Sequence, residues 1–152
     1  MDIPTGDIFW QYERRFDPQR SIDPKAQAVH GIDYSALVGK PLFPTCIPDL
    51  QKVAKISPVW LAHNANFDAG MIAAEFTRAG VPQLEITMLD SMDARWATFN
   101  GKSPKLSELC FALGVEYDPS LAHAALYDIT VMLKAWHEGF KRGLFTYPGY
   151  TL

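Results

Sequence analysis

Three side chains carry most of the chemistry in this sequence: Asp68, His123 and Asp128. If the chain around Asp128 is helical, its neighbours three and four positions away are Ala124, Ala125, Val131 and Met132. Leu121 and Ala135 extend the same stripe, while Thr130, Lys134 and His137 take the opposite face. That pattern sets a carboxylate into an apolar face, where an unpaired charge is very costly. Asp128 therefore needs a cation, a partner or a proton. Metal ligation is the favoured reading. The alternative is an aspartate satisfied by a backbone donor or by an arginine such as Arg95. His123 lies five residues earlier, an interval that puts two side chains on different helix faces. It serves Asp128 only from a loop just ahead of the helix; otherwise it is a solvated histidine. Asp68 closes the run His63-Asn64-Ala65-Asn66-Phe67-Asp68, directly after an apolar segment. Open α/β sheets place their ligand sites at such strand ends. Equally, Asn66 can cap a helix there, with Asp68 complementing its dipole. Two carboxylates and one imidazole suit metal-assisted hydrolysis. Oxygen ligands match Mg²⁺ or Mn²⁺, and a pair of such ions stabilises both oxygens of an in-line phosphoryl displacement. A histidine titrating near neutrality can take the proton of the attacking water.

The elements that must position these groups are legible from periodicity. Val59-Trp60-Leu61-Ala62 is a short continuous apolar run, as a buried parallel strand requires. A helix is predicted from Asp68 to Ala79, stopped by Gly80, and a second strand from Leu84 to Leu89. Ser103-Pro104 reads as cap and first position of a helix over 105–113, closed by Gly114. The last helix is predicted from about Ala122 to Lys141. Earlier, 24–29 forms a short helix opening on proline, and Ile47, Leu50, Val53 and Ala54 recur at helical spacing across 44–55. Residues 8–16 alternate, with Ile8, Trp10, Tyr12 and Phe16 on one side. Thr5-Gly6-Asp7 before them is a turn, so 8–16 is expected as the second strand of a hairpin. Strands alternating with helices give a layered α/β domain with a partly parallel sheet.

Composition bounds the partners. The chain has 152 residues, 48% hydrophobic and 20% charged, which suits one globular domain spanning 1–152. The net charge of −3 excludes a protein that coats nucleic acid electrostatically. It leaves room for an enzyme that holds one strand end. Cys46 and Cys110 make no disulfide framework. No signal-like or membrane-type apolar stretch opens the chain, so a cytoplasmic location without membrane contact is expected.

These residues together resemble the DEDDh-type (DnaQ-like) 3′→5′ exonuclease family. His63 to Asp68 matches the family's second motif, and His123-Ala124-Ala125-Leu126-Tyr127-Asp128 matches its third, H-x-A-x-x-D. Val29-His30-Gly31-Ile32 and Asp90-Ser91 fit two further elements, in order, over about 8–138. The resemblance implies a ribonuclease-H-like α/β exonuclease domain, a mixed sheet flanked by helices. It implies Asp68 and Asp128 as metal-site carboxylates, His123 as general base, and Mg²⁺ or Mn²⁺ at a two-ion site. His30, Asn64 and Phe67 would surround the terminal nucleotide; for Phe67 core packing is an equal alternative.

The family's first motif, an Asp-x-Glu pair on the first strand, has no match. Asp2-Ile3-Pro4-Thr5-Gly6 holds proline where glutamate belongs, and the interval to His30 is too short for three strands with turns. The first strand is thus expected to be missing, leaving 8–16 without a sheet partner. A start placed too late, completion by another chain, and a domain that has lost catalysis are the three accounts; the first is favoured. The expected function is metal-dependent exonuclease action on the 3′ end of single-stranded DNA or RNA. The alternative is a catalytically impaired domain that binds nucleic acid or protein. A polymerase, another protein or a second copy are the expected partners, with the tail Phe140, Leu144, Phe145, Tyr147 and Tyr150 either docking one or covering the core.

Overall fold

In the computed structural model, which describes residues 1–149, the apolar run Val59–Ala62 forms strand β1 and Thr87–Asp90 forms β2. The two pair in parallel, Val59 opposite Thr87 and Ala62 opposite Asp90. Because they run together, both carboxyl ends finish side by side, and the residues that follow them share one edge of the molecule.

The described residues also form five α-helices, α1 (Pro24–His30), α2 (Ile47–Ile56), α3 (Ala65–Ala79), α4 (Leu106–Leu113) and α5 (Ala125–Lys141), with α3 and α5 packed on the strands. α1 opens on the carboxylate of Asp23, which accepts the Lys25 amide at 2.7 Å. Gly31, Gly80 and Gly114 close α1, α3 and α4 in the left-handed conformation, which glycine adopts without a Cβ penalty. The core lies where α4 meets α5 against the sheet. Leu109, Cys110, Leu113, Val131, Ala135 and Trp136 are buried there, with Leu61 and Leu89 packed on them. Phe145 stacks on Trp136 with ring centroids 3.9 Å apart. Phe140 and Phe145 are thus core residues rather than a docking surface, Leu144 stays exposed, and Tyr150 lies outside the described residues.

The α/β layering agrees with the sequence pattern; several boundaries move. Of the mixed sheet, the described residues form only the parallel pair. Residues 8–16 form no strand or ladder, though Trp10 and Tyr12 stack on one another, as alternation allows. The turn before them is real: Asp2 N–H donates to the Asp7 carbonyl at 2.8 Å, and Gly6 N–H to the Asp2 carbonyl at 2.8 Å. Gly6 lies flat on the His137 ring, so close that a Cβ would sit 2.5 Å from it. His137, expected on an open face, is therefore covered. The second strand begins at Thr87 rather than Leu84. α4 starts one residue late, with Lys105 as cap and its N–H bonded to Glu108 at 2.8 Å, while Pro104 is buried. α5 starts at Ala125 because His123 adopts φ 68°, which no helix continues.

Candidate active site

The carboxyl end of the sheet is built around Asp90. One carboxylate oxygen accepts from Asn64 N–H at 3.0 Å and Met92 N–H at 2.9 Å; the other accepts from Ala65 N–H at 2.9 Å. Asn64 and Ala65 begin α3, whose first amides have no helical acceptor, so the cap comes from the neighbouring strand. Asn64 supplies no side-chain cap and takes φ 78°. That is why α3 opens at Ala65, three residues ahead of the Asp68 start that the local sequence predicts, and why Asn66 does not cap it. Beside Asp90, the fully buried Ser91 hydroxyl donates to the Ala62 carbonyl at 3.0 Å and lies 2.8 Å from His63 Nδ1. Burial holds the His63 imidazole below its ordinary pKa, opposed by the carboxylates of Asp90 and Asp128.

Facing this edge is the start of α5. Asp128 sits in the first turn, half-buried, and accepts the His123 N–H at 3.0 Å. The pair is thus joined through the backbone. The imidazole of His123 emerges from a left-handed loop residue ahead of the helix and is exposed, as the five-residue interval requires. Asp128 is not an unpaired charge within an apolar stripe: at the helix end the stripe opens to solvent, and a backbone amide supplies its donor. Nearby, Asp118 N–H donates to the Tyr127 hydroxyl, and the rings of Tyr117 and Tyr127 lie 5.8 Å apart. Cys110, buried beneath, has its thiol pushed up to about 11 by burial, with Asp128 adding to the shift. It cannot supply a thiolate.

His63, Asn64, Pro104, Tyr117, His123 and Asp128 line one cleft of about 660 Å³. Three residues predicted from the sequence, Asn64, His123 and Asp128, therefore meet. Asp68, Phe67 and His30 do not line it. Asp68 is exposed in the first turn of α3, yet its surroundings desolvate it enough to raise its carboxyl above the usual range, and Asp90 adds to this. Phe67 is 63% exposed, which removes the core-packing alternative. His30 ends α1, its Nδ1 accepting the Ile32 N–H at 3.0 Å. Sequence reasoning gave no site role to Asp90, His63 or Tyr117. The fit of Asp90-Ser91 to the family pattern was the available signal.

Among the described residues, no three His, Cys, Asp or Glu side chains form a metal-holding group. One carboxylate in the cleft fits a Mg²⁺ or Mn²⁺ ion whose remaining positions are water or phosphate. Asp68 is not among the residues lining the cleft, though Asp90 is near enough to help raise its carboxyl, so Asp128 is the carboxylate that the cleft itself offers. No helix among the described residues is long and apolar enough to cross a membrane.

Comparison with known proteins agrees with this architecture. The family model described as "Exonuclease" matches residues 10–136. The DNA polymerase III subunit epsilon of Salmonella typhimurium is 28% identical over 136 residues, covering 87% of this chain and 54% of that subunit. That of Haemophilus influenzae is 31% identical over 118 residues, covering 76% of this chain and 46% of the subunit. The chain thus spans about half the length of these relatives. A solved structure of Exonuclease X in complex with 5′ overhanging duplex DNA superposes with a TM-score of 0.69 at 24% identity. It covers 95% of this chain and 81% of that one, a likeness of fold. With most of its length matched by one family, this chain belongs to the exonuclease family, as a DnaQ-like member with the ribonuclease-H-like α/β fold.

Proposed function

We propose that this chain is a 3′→5′ exonuclease acting on single-stranded DNA or RNA ends. The observation that carries the reading is the joined pair His123–Asp128, at 3.0 Å, opening on the same cleft as Asn64 and His63. His123 is the general base, its exposed imidazole taking a proton from the attacking water. Asp128 fixes the His123 peptide with one oxygen and offers the other to a divalent ion, Mg²⁺ or Mn²⁺. When bound, that ion polarises the scissile phosphate. Asn64 presents amide donors and acceptors to the terminal nucleotide. Asp68 as the second metal carboxylate, and Phe67 and His30 as nucleotide contacts, belong to the same reading and need the substrate to reach beyond the cleft lining. A polymerase, another protein or a second copy is the partner in this reading, and the cytoplasm the compartment.

The test is incubation of the protein with a 5′-labelled single-stranded oligonucleotide and Mn²⁺, beside Asp128→Asn and His123→Asn. A ladder shortened from the 3′ end, reduced more than about a hundredfold in both variants, is expected. A ladder of equal strength in the variants overturns the assignment. That no three His, Cys, Asp or Glu side chains come together among the described residues favours a second reading, a catalytically impaired domain that binds nucleic acid or protein. Oligonucleotide binding without cleavage would support it.

A further inference from the structure

Next to the cleft, two phenylalanines stand bare. Phe99 is fully exposed and Phe111 is 88% exposed, one on the loop before α4 and the other on α4 itself. Phe99 is held out by local bonding. Gly101 N–H donates to the Thr98 carbonyl at 3.3 Å, and the Thr98 hydroxyl bonds the Lys102 carbonyl at 2.7 Å. Phe99 and Asn100 therefore sit at the tip of a closed turn. Both rings line an open cavity of about 420 Å³ with Asn100, Lys102, Ser107 and Glu108. Ser107 also lines the cleft of His123 and Asp128, as does Lys105, so the two hollows share one wall.

The two hollows carry both signs, Lys102 with Glu108 in the cavity and Lys105 with Asp128 in the cleft. Lys102 is paired with Glu108 at 3.0 Å, while Lys105 has no ion pair among the described residues and is exposed on the cleft side. Exposed rings flanked by lysine are the elements of a single-strand track. Bases stack on the aromatic faces regardless of sequence, and cations follow the phosphates. An apolar protein partner would be poorly matched to a wall carrying Asn100, Ser107 and the exposed Lys105.

We infer that Phe99 and Phe111 form a stacking track for the nucleotides upstream of the terminal one, with Lys105 facing their phosphates. This rests on the exonuclease reading, which puts the strand end in the adjoining cleft. The track makes affinity rise with strand length and leaves it tolerant of base identity.

The test uses the full chain with Phe99→Ala, Phe111→Ala, the double variant and Lys105→Ala, with thymidine oligonucleotides of increasing length as probe. Binding is read by fluorescence anisotropy and turnover by 3′-end shortening. Each phenylalanine variant is expected to weaken binding of the long oligonucleotide about tenfold. KM should rise accordingly while kcat moves less than about twofold. Wild-type affinity should climb with length, and the double variant's should not. Lys105→Ala should flatten the slope of log Kd against log salt by about 0.7. Unchanged Kd and KM in a folded double variant overturn the track while leaving the exonuclease reading intact. Length-dependent binding lost in the double variant, with no cleavage by wild type, overturns the exonuclease reading and keeps the track. Absence of any oligonucleotide binding by wild type overturns both.

Discussion

Asp128 commits one carboxylate oxygen to the His123 N–H while the residue lines the cleft. Stability and chemistry can therefore be separated by substitution. Asp128→Asn keeps a carbonyl oxygen able to accept that N–H, so it should unfold within about 0.5 kcal/mol of wild type while losing activity. Asp128→Ala leaves the amide without its acceptor and should cost about 1 kcal/mol, a fall of about 2–4 °C in Tm for a chain of this size. The sequence pattern taken alone argues the opposite sign, since removing a carboxylate from an apolar stripe would stabilise. It misleads because the stripe ends in the first turn of α5, where the side chain meets solvent and a backbone donor. Thermal unfolding of both variants decides the point. His63 titrates in the opposite direction to a salt-bridged histidine. Its folded pKa lies below the ordinary 6.5 because burial penalises the charged ring. Above pH 6.5 both states hold a neutral ring and its contribution to stability is complete. As pH falls below that value the unfolded chain takes up the proton first, so stability is lost down to the folded pKa. Denaturant titrations from pH 7 to 5 should show wild type losing more stability than His63→Asn, whose amide can still reach Ser91. An equal loss in both would remove His63 from the account.

Among the elements, α3 depends on a residue of another strand. Asp90 accepts three backbone N–H groups, two of them from the start of α3, so β2 caps the helix that follows β1. Asp90→Ala should cost about 2 kcal/mol, measured by urea denaturation. Asp90→Asn keeps one acceptor oxygen and should fall between. A cost below about 0.5 kcal/mol for alanine would mean water replaces the carboxylate freely. This cap also marks what the sequence could convey. The C-terminal ends of α1, α3 and α4 were legible because Gly31, Gly80 and Gly114 act locally. The start of α3 was not, because its acceptor is 25 and 26 residues away in sequence. The loop position of His123 was legible only as a condition: the five-residue interval lets it share a cleft with Asp128 only from ahead of the helix. The predicted helix start near Ala122 missed the left-handed His123 that delays α5 to Ala125.

At the scale of the molecule, order is uneven. The packed region joins α4, α5 and Phe145, with Leu109, Cys110 and Ala135 fully buried, and the sheet leans on it through Leu61 and Leu89. Segment 8–16 carries the period-2 pattern of a strand, and that pattern was legible. Strand pairing was not, because alternation specifies which side faces inward but not what lies alongside. Among the described residues, none of the amides of 8–16 donates to a backbone carbonyl. Phe9 and Trp10 are largely exposed, at 76% and 54%. Amide protection follows from opening free energy, which approaches the global value only in bonded core elements. Hydrogen exchange should therefore find 8–16 exchanging within about tenfold of the free-peptide rate, while the α5 amides from Val131 to Ala135 are slowed by several orders of magnitude. A strand-patterned segment whose amides are unpaired also offers them to any strand that can pair with it. If 8–16 is protected in solution, and the protection weakens on dilution, the edge is being completed by a second copy. Protection that persists at every concentration would mean that these amides are bonded within one chain and would overturn the prediction of an unpaired segment.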